Sequence, residues 1–234
     1  MLEERKLALQ PEEIHELNSE LEDRSPQEIL EYAVNKIEKI AFACSFGAED
    51  VVIVDMLSRI KPDTSVFYLD TDVLFPETYD VRNRMVEKYN LNLIAYRPLL
   101  TLEKQAEQYG ESLWQVDPNQ CCSLRKVEPL QRALCELDAW ITGIRREQAP
   151  TRANAGVVEI DRKFGLIKWN PLAKWTNKQV WDYIIAHQVP YNVLHDKGYP
   201  SIGCIHCTRA VKPGEDLRAG RWSNFEKTEC GLHQ

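Results

Sequence analysis

Apolar and polar positions along this chain follow two rhythms in turn, one of helical spacing and one of short apolar runs. Residues 11–38 read as two helices, with Pro11 and Pro26 at first-turn positions and Ser25 placed to cap the second. Lys39 to Ser45 (KIAFACS) is a short apolar strand, Phe46-Gly47-Ala48-Glu49-Asp50 a turn, and Val51 to Ile60 an apolar helix. Ser65 to Asp70 (SVFYLD) is a second strand, rich in β-branched and aromatic residues, and Pro76 opens a helix that runs to about Tyr89. Asn92 to Arg97 forms a third strand, Thr101 to Tyr109 a helix, and Ala139 to Ile144 (AWITGI) a fourth strand. Residues 157–169 read as a small hairpin, and Thr176 to His187 as an amphipathic helix capped by Thr176.

Strands alternating with helices at this spacing predict βαβ units, and so an α/β fold with a parallel sheet flanked by helices. The stretch 146–156 (REQAPTRANAG) reads as a mobile loop. From Asp196 onward Gly and Pro recur and regular structure thins into an irregular tail able to move, which we take as about 208–234. The expected organisation is an N-terminal helical segment, 1–38, and one α/β domain, 39–234. A chain of 234 residues with 44% hydrophobic content suffices for one sizeable core.

Composition narrows the function classes. The net charge of −7 resides in residues 1–38, which hold 11 acidic and 4 basic residues, while the remainder carries 25 of each sign. That balance argues against a broad nucleic-acid interface but leaves room for a local basic pocket around a small anion. No run approaches the roughly 18 apolar residues of a membrane span, and Met1-Leu2-Glu3-Glu4-Arg5-Lys6 does not read as a signal peptide. The expectation is a cytoplasmic protein without membrane contact. Seven cysteines then point to metal or redox work rather than to disulfides.

Four of those cysteines fall into two close pairs, Cys121-Cys122 and Cys204-x-x-Cys207. Four thiolates suit a cubane cluster or a tetrahedral zinc, although adjacent cysteines make an awkward zinc chelate. Arg125 and Lys126 follow the first pair within one helical turn and can offset the charge of such a site. Cys44, in a strand, and Cys135, near a helix end, read as buried small hydrophobes. Cys230 differs: it stands beside Gly231, near Lys227 and His233, and cationic neighbours favour the reactive thiolate.

Two strand ends carry groups suited to a nucleotide. Ser45 and Gly47 precede a helix N-terminus, where backbone N–H groups can meet a phosphate, though an ordinary strand-to-helix turn reads the same way. The stretch is not a Walker A loop, since it lacks a second Gly and a Gly-Lys-Ser/Thr ending. Leu69-Asp70-Thr71-Asp72 offers polar groups to a base or ribose, or simply caps the next helix. Arg218 and Arg221, three apart, share a face if helical.

Together these segments resemble the phosphate-loop and Leu-Asp-Thr segments of the adenine-nucleotide α-hydrolase-like fold. With Cys121-Cys122-x-x-Arg125-Lys126, Gly203-Cys204-x-x-Cys207 and the tail Lys227-Thr228-Glu229-Cys230-Gly231-Leu232-His233, residues 39–234 resemble the assimilatory adenylyl-sulfate reductases of bacteria. One departure is Asp72, where that family commonly has Gly. The resemblance implies a [4Fe–4S] cluster on Cys121, Cys122, Cys204 and Cys207. It implies a nucleophile at Cys230 and substrate contacts from Ser45, Gly47, Leu69, Thr71, Lys126, Arg152, Arg218, Arg221 and His233, with Lys126, the arginines and His233 serving as a cationic clamp. The implied reaction reduces adenylyl sulfate to sulfite and AMP, with thioredoxin or glutaredoxin as reductant. A homo-oligomer is compatible with this reading. The competing expectation is an ATP-dependent nucleotide-activating enzyme of the same fold for sulfur transfer, with zinc at the four cysteines.

Overall fold

The computed structural model describes residues 7–233. The N-terminal hexapeptide weighed as a signal sequence lies outside them, as does Gln234. Six strands form one sheet in the order β3-β2-β1-β4-β6-β5. The central strands β1 (Ile40–Ala43), β2 (Ser65–Leu69), β3 (Leu93–Tyr96), β4 (Ala139–Ile141) and β6 (Leu166–Trp169) run parallel to their neighbours, with Phe42 opposite Val66 on one side and Ile141 on the other. The expected hairpin is present, but it joins the sheet. Its second arm is the parallel strand β6, and its first, β5 (Val158–Asp161), pairs antiparallel at the edge. The sheet is therefore mixed and mostly parallel rather than wholly parallel. The central strands are short, near-continuously apolar and buried, as expected when helices cover both faces.

Sequence chemistry sets the helix ends. In α2 (Pro26–Lys36) the Ser25 hydroxyl accepts from the Glu28 N–H, and Glu28 accepts from the Ser25 N–H at 2.8 Å. Thr176 and Gln179 make the same reciprocal pair at the start of α9 (Asn177–Ala186). Helix α3 (Ala48–Ile60) begins three residues earlier than its apolar run suggests, because the Gly47 carbonyl already accepts from Asp50 and Val51. Helix α4 (Pro76–Tyr89) opens on its proline and closes on Asn90 in the left-handed region.

The N-terminal helices are continuous with the domain core. Leu9, Ile14, Leu17 and Leu21 of the α1 region (Pro11–Leu21) share one apolar cluster with Phe42, Val52 and Trp169. Asn18 caps the sheet edge by accepting from the Val158 N–H and donating to its carbonyl, which blunts an otherwise open edge strand. Glu22 forms a forked ion pair with Arg146, so the 146–156 loop is tied down through two short turns, Arg146–Gln148 and Pro150–Arg152. No helix is long and apolar enough to cross a membrane among the described residues.

Between α5 (Leu102–Tyr109) and β4 the chain forms three further helices: α6 (Leu113–Val116), α7 (Pro118–Cys122) and α8 (Glu128–Leu134). A π-helical turn, Ser123–Val127, joins the last two. Such widened turns concentrate at functional sites, and this one carries Arg125 and Lys126 directly behind the cysteine pair.

Candidate active site

The strand order reverses between β1 and β4, where ligands bind in open α/β sheets. A cavity of about 580 Å³ opens there, within the usual size range for a small-molecule site. Every residue nominated as nucleophile or substrate contact lines it. Ser45 and Gly47 come from the β1 end, Leu69 and Thr71 from the β2 end, and Lys126 from the π turn. Arg152 comes from the loop, and Arg218, Arg221, Cys230 and His233 come from the tail.

The local geometry refines these assignments. Phe46, buried and at φ +61°, holds the strained bend after β1. The Ser45 N–H and hydroxyl both donate to Asp50 Oδ2, at 2.5 and 2.6 Å. The two best anion donors of this turn thus already face a carboxylate. Burial first, and Glu49 beside it, push Asp50 up to about 7 against those hydrogen bonds. Gly143 lies so close that a Cβ there would strike the Asp50 carboxylate. The turn reads as a self-contained loop that shapes the wall of the cleft.

At the β2 end, Asp70 accepts from Tyr79 at 2.6 Å and pairs with Arg97. Asp72 adopts φ +58°, a left-handed backbone that glycine takes freely and that Asp is among the few side chains to tolerate. Its carboxylate accepts from Arg125 Nη2 at 2.5 Å. Arg125 is 1% exposed, and it also donates to the Thr71 carbonyl at 2.7 Å and Gln105 Oε1 at 3.0 Å. Arg125 therefore bolts the cysteine helix to the β2 end. Its hydrogen bonds go to Asp72 and neutral acceptors, while its charge also favours the Cys121 thiolate in the cavity it helps line.

Cys121, Cys122, Cys204 and Cys207 line a second, narrower cavity next door. Among the described residues Lys126 alone lines both cavities. Thr71 Oγ1 lies 3.4 Å from Cys204 Sγ and links the two sites. Burial raises the free thiols of Cys121 and Cys207 to about 12 and about 11, aided by their mutual repulsion as thiolates. Such a set is costly without a cation to hold the thiolates. Among the described residues no three His, Cys, Asp or Glu side chains gather tightly enough for a single ion. The Trp114 and Trp222 indole N–H groups are buried without a partner and line the same cavity. The four thiols and the orphaned indole donors fit a group that carries acceptor sulfides. His206, between Cys204 and Cys207, stacks on Trp114 with centroids 4.0 Å apart, a packing role that needs no metal.

The tail folds over the cleft. Leu232 packs in the apolar cluster of Phe67, Leu130 and Trp140, and the His233 ring stacks on Trp140 at 5.4 Å. Lys163 donates to the Gly231 carbonyl. Burial opposes ionisation of Cys230, yet Lys126, then the Leu232 N–H and Arg221, outweigh it and draw the thiol below its ordinary value. Burial and the charges of Arg152, Lys168 and Arg218 hold His233 well below its ordinary value. Its Nδ1 is buried without a partner among the described residues. Cys44 is buried as expected. Cys135 is exposed, because α8 turns Leu130, Ala133 and Leu134 inward instead.

Sequence reasoning missed Asp50, Gly143 and, above all, Glu229. The Glu229 carboxylate pairs with Arg152 at 2.8 Å and Arg218 at 3.2 Å. Seventy-seven residues separate Glu229 from Arg152, and nothing local in the sequence signals that pairing.

Fold and cleft together define an α/β protein whose switch-point cavity holds the tail thiol of Cys230 beside a four-cysteine site. The family described as the phosphoadenosine phosphosulfate reductase domain matches residues 39–210, and the chain belongs to it. It is similar to the adenosine 5'-phosphosulfate reductase of Halalkalibacterium halodurans, with 51% identity over 94% of this chain and 96% of that protein. The enzyme of the same name from Staphylococcus haemolyticus is 51% identical over 88% of this chain and 86% of its own length. A crystal structure of phosphoadenylyl-sulfate reductase from Candida auris, a phosphate complex, superposes with a TM-score of 0.79. Its sequence identity is 38%, over 88% of this chain and all of that one. A Candida glabrata FMN adenylyltransferase, at 16% identity and TM-score 0.55 over 94% of this chain and 81% of that one, shares the fold alone. The adenine-nucleotide α-hydrolase-like architecture is thereby established.

Proposed function

We propose that this chain reduces adenylyl sulfate to sulfite and AMP through a sulfonated Cys230. One observation carries the reading: Cys230 sits in the nucleotide cleft with its thiol drawn toward ionisation by Lys126 and Arg221. The Cys230 thiolate attacks the sulfate sulfur, an S–S bond forms, and the S–O bond to AMP breaks with its electron pair on the phosphate oxygen. Lys126, Arg218 and Arg221 stabilise that charge, while Ser45, Gly47, Leu69 and Thr71 frame the nucleotide and His233 supplies a hydrogen-bonding edge. One thiolate of reduced thioredoxin or glutaredoxin then attacks Cys230 Sγ, and sulfite leaves with the bonding electrons. The second thiol of the reductant resolves the mixed disulfide and restores Cys230, leaving the reductant oxidised.

Cys121, Cys122, Cys204 and Cys207 would hold a [4Fe–4S] cluster. When bound, it supplies fixed charge and rigidity beside Lys126 and no electrons to the reaction. Chemistry at a free thiolate beside a thiol-held cluster suits the reducing cytoplasm. The test is sulfite release from adenylyl sulfate and from its 3′-phosphorylated counterpart in parallel, with reduced thioredoxin or glutaredoxin. Turnover of adenylyl sulfate is expected. Sulfite from the 3′-phosphorylated nucleotide alone, or ATP consumption without sulfite, would overturn the assignment.

A further inference from the structure

The cations of the cleft are not equivalent. Arg152 Nε donates to Glu229 Oε1 at 2.9 Å and Nη2 to Oε2 at 2.8 Å, a forked pair, and its third nitrogen, Nη1, donates to Gln148 at 2.7 Å. Three of the five N–H donors of Arg152, one on each nitrogen, are thereby engaged within the protein. Thr151 Oγ1 donates to the same carboxylate, and Arg218 Nη2 reaches both Glu229 Oε2 and the Thr228 carbonyl, at 3.2 and 2.8 Å. Glu229 is 7% exposed, so this is a desolvated, multiply bonded anion rather than a surface charge. Lys126 and Arg221, the two cations acting on Cys230, meet no carboxylate among the described residues, and Arg221 Nε is buried without a partner.

Glu229 and Cys230 are consecutive, with Cα atoms about 3.8 Å apart. Docking the carboxylate and placing the nucleophile are therefore one event. Whenever Cys230 stands over the substrate, Glu229 stands at Arg152. From this we infer that Glu229 is the positioning residue that anchors the tail, that Arg152 is its receptor, and that Lys126 and Arg221 are the cations of the cleft left free of any carboxylate, with Arg218 shared between the Glu229 anchor and the leaving phosphate. The inference rests on the proposed reaction for its catalytic consequence, but not for the docking itself.

The test compares cluster-loaded parent, Glu229→Gln, Arg152→Gln and the double variant. Three readouts are taken: hydrogen–deuterium exchange of the 224–233 peptide, AMP affinity by calorimetry, and the single-turnover rate of AMP release from adenylyl sulfate. Exchange in β1 and β4 peptides verifies folding. Either single variant should raise tail exchange, slow the single turnover roughly 10- to 100-fold, the range for a lost charge-assisted contact, and change AMP affinity less than about threefold. The double variant should be no slower than the slower single, since both remove one interaction. Tail exchange unchanged in Glu229→Gln would overturn the anchor. So would a rise in AMP affinity of about tenfold, which would make Glu229 a competitor of the substrate. Multiplying effects in the double variant would return Arg152 to the substrate. A parent that forms no sulfite but loses tail protection on Glu229→Gln would sink the proposed reaction and leave the docking intact.

Discussion

The β1 end and the C-terminal tail each bring a cysteine to the wall of the same cleft, and the two thiols are tuned in opposite directions. Cys44 is 3% exposed, and burial first, then the Asp50 charge, push it well above the ordinary thiol value. Cys230 is half-buried, and Lys126, the Leu232 N–H and Arg221 overcome its burial and draw it down. Both thiols line one cavity, and the charges around each, negative at Cys44 and positive at Cys230, set them apart. The scaffold keeps its carboxylates near β1, and the cations gather where the tail lands.

The sharpest break of this contrast is Cys230→Ser. A hydroxyl stays protonated near neutral pH, so sulfite formation should fall by on the order of 10⁴- to 10⁶-fold, as in other nucleophile deletions, with AMP affinity and bound iron unchanged. Multiple turnovers by this variant would refute the role. Cys204→Ser should lose iron, read by metal analysis and the visible spectrum, together with most activity, because one of four ligands is gone. Full iron retention would remove Cys204 from the ligand set.

Arg221→Ala sharpens the comparison instead of breaking it. It should slow the first step by roughly 10- to 150-fold, the cost of one charge-assisted contact. The pH profile gives the sign. The thiolate reacts, and its pKa is depressed, so the parent rate should rise with pH and level off below the ordinary thiol range near about 8.5. Arg221→Ala should move that inflection upward; a profile identical to the parent would detach Arg221 from Cys230.

Asp50→Asn acts on stability. The folded pKa of Asp50, about 7, lies above its unfolded value, so its contribution is intact at low pH and declines as pH rises toward 7. Removing the charge should stabilise the protein above neutrality by on the order of 2–4 kcal/mol. Chemical denaturation at pH 5 and pH 8 measures it, and equal changes at both would contradict the assignment. Cys44→Ala should have the smallest effect, with activity within about twofold and iron retained.

The alternation of apolar strands and helices was legible because burial on both sheet faces leaves a plain apolar signature, as in Phe42, Phe67 and Ile141. The cysteine pairs and the ECGLH tail were legible because local spacing carries their chemistry. Asp72 stood out as a departure from the usual glycine, but only its left-handed φ explains why that position matters. Arg125 lines the cysteine cavity and its charge favours the Cys121 thiolate, as its spacing suggests, but its structural bonds to Thr71, Asp72 and Gln105, distant in sequence, were not legible. The Glu229–Arg152 pair was invisible for the same reason. Long-range ion pairs have no periodicity, so a lone glutamate in a polar tail reads as a solvated charge.

The central claim is that the tail thiol, and not the scaffold thiol, takes the sulfonate. Cluster-loaded parent is mixed with adenylyl sulfate without a thiol reductant, quenched in acid, and mapped by peptide mass. The account predicts one sulfonate on the peptide bearing Cys230, one AMP released per chain, and discharge as sulfite on adding reduced thioredoxin. A sulfonate on Cys44, or AMP release with Cys230 unmodified, would contradict it.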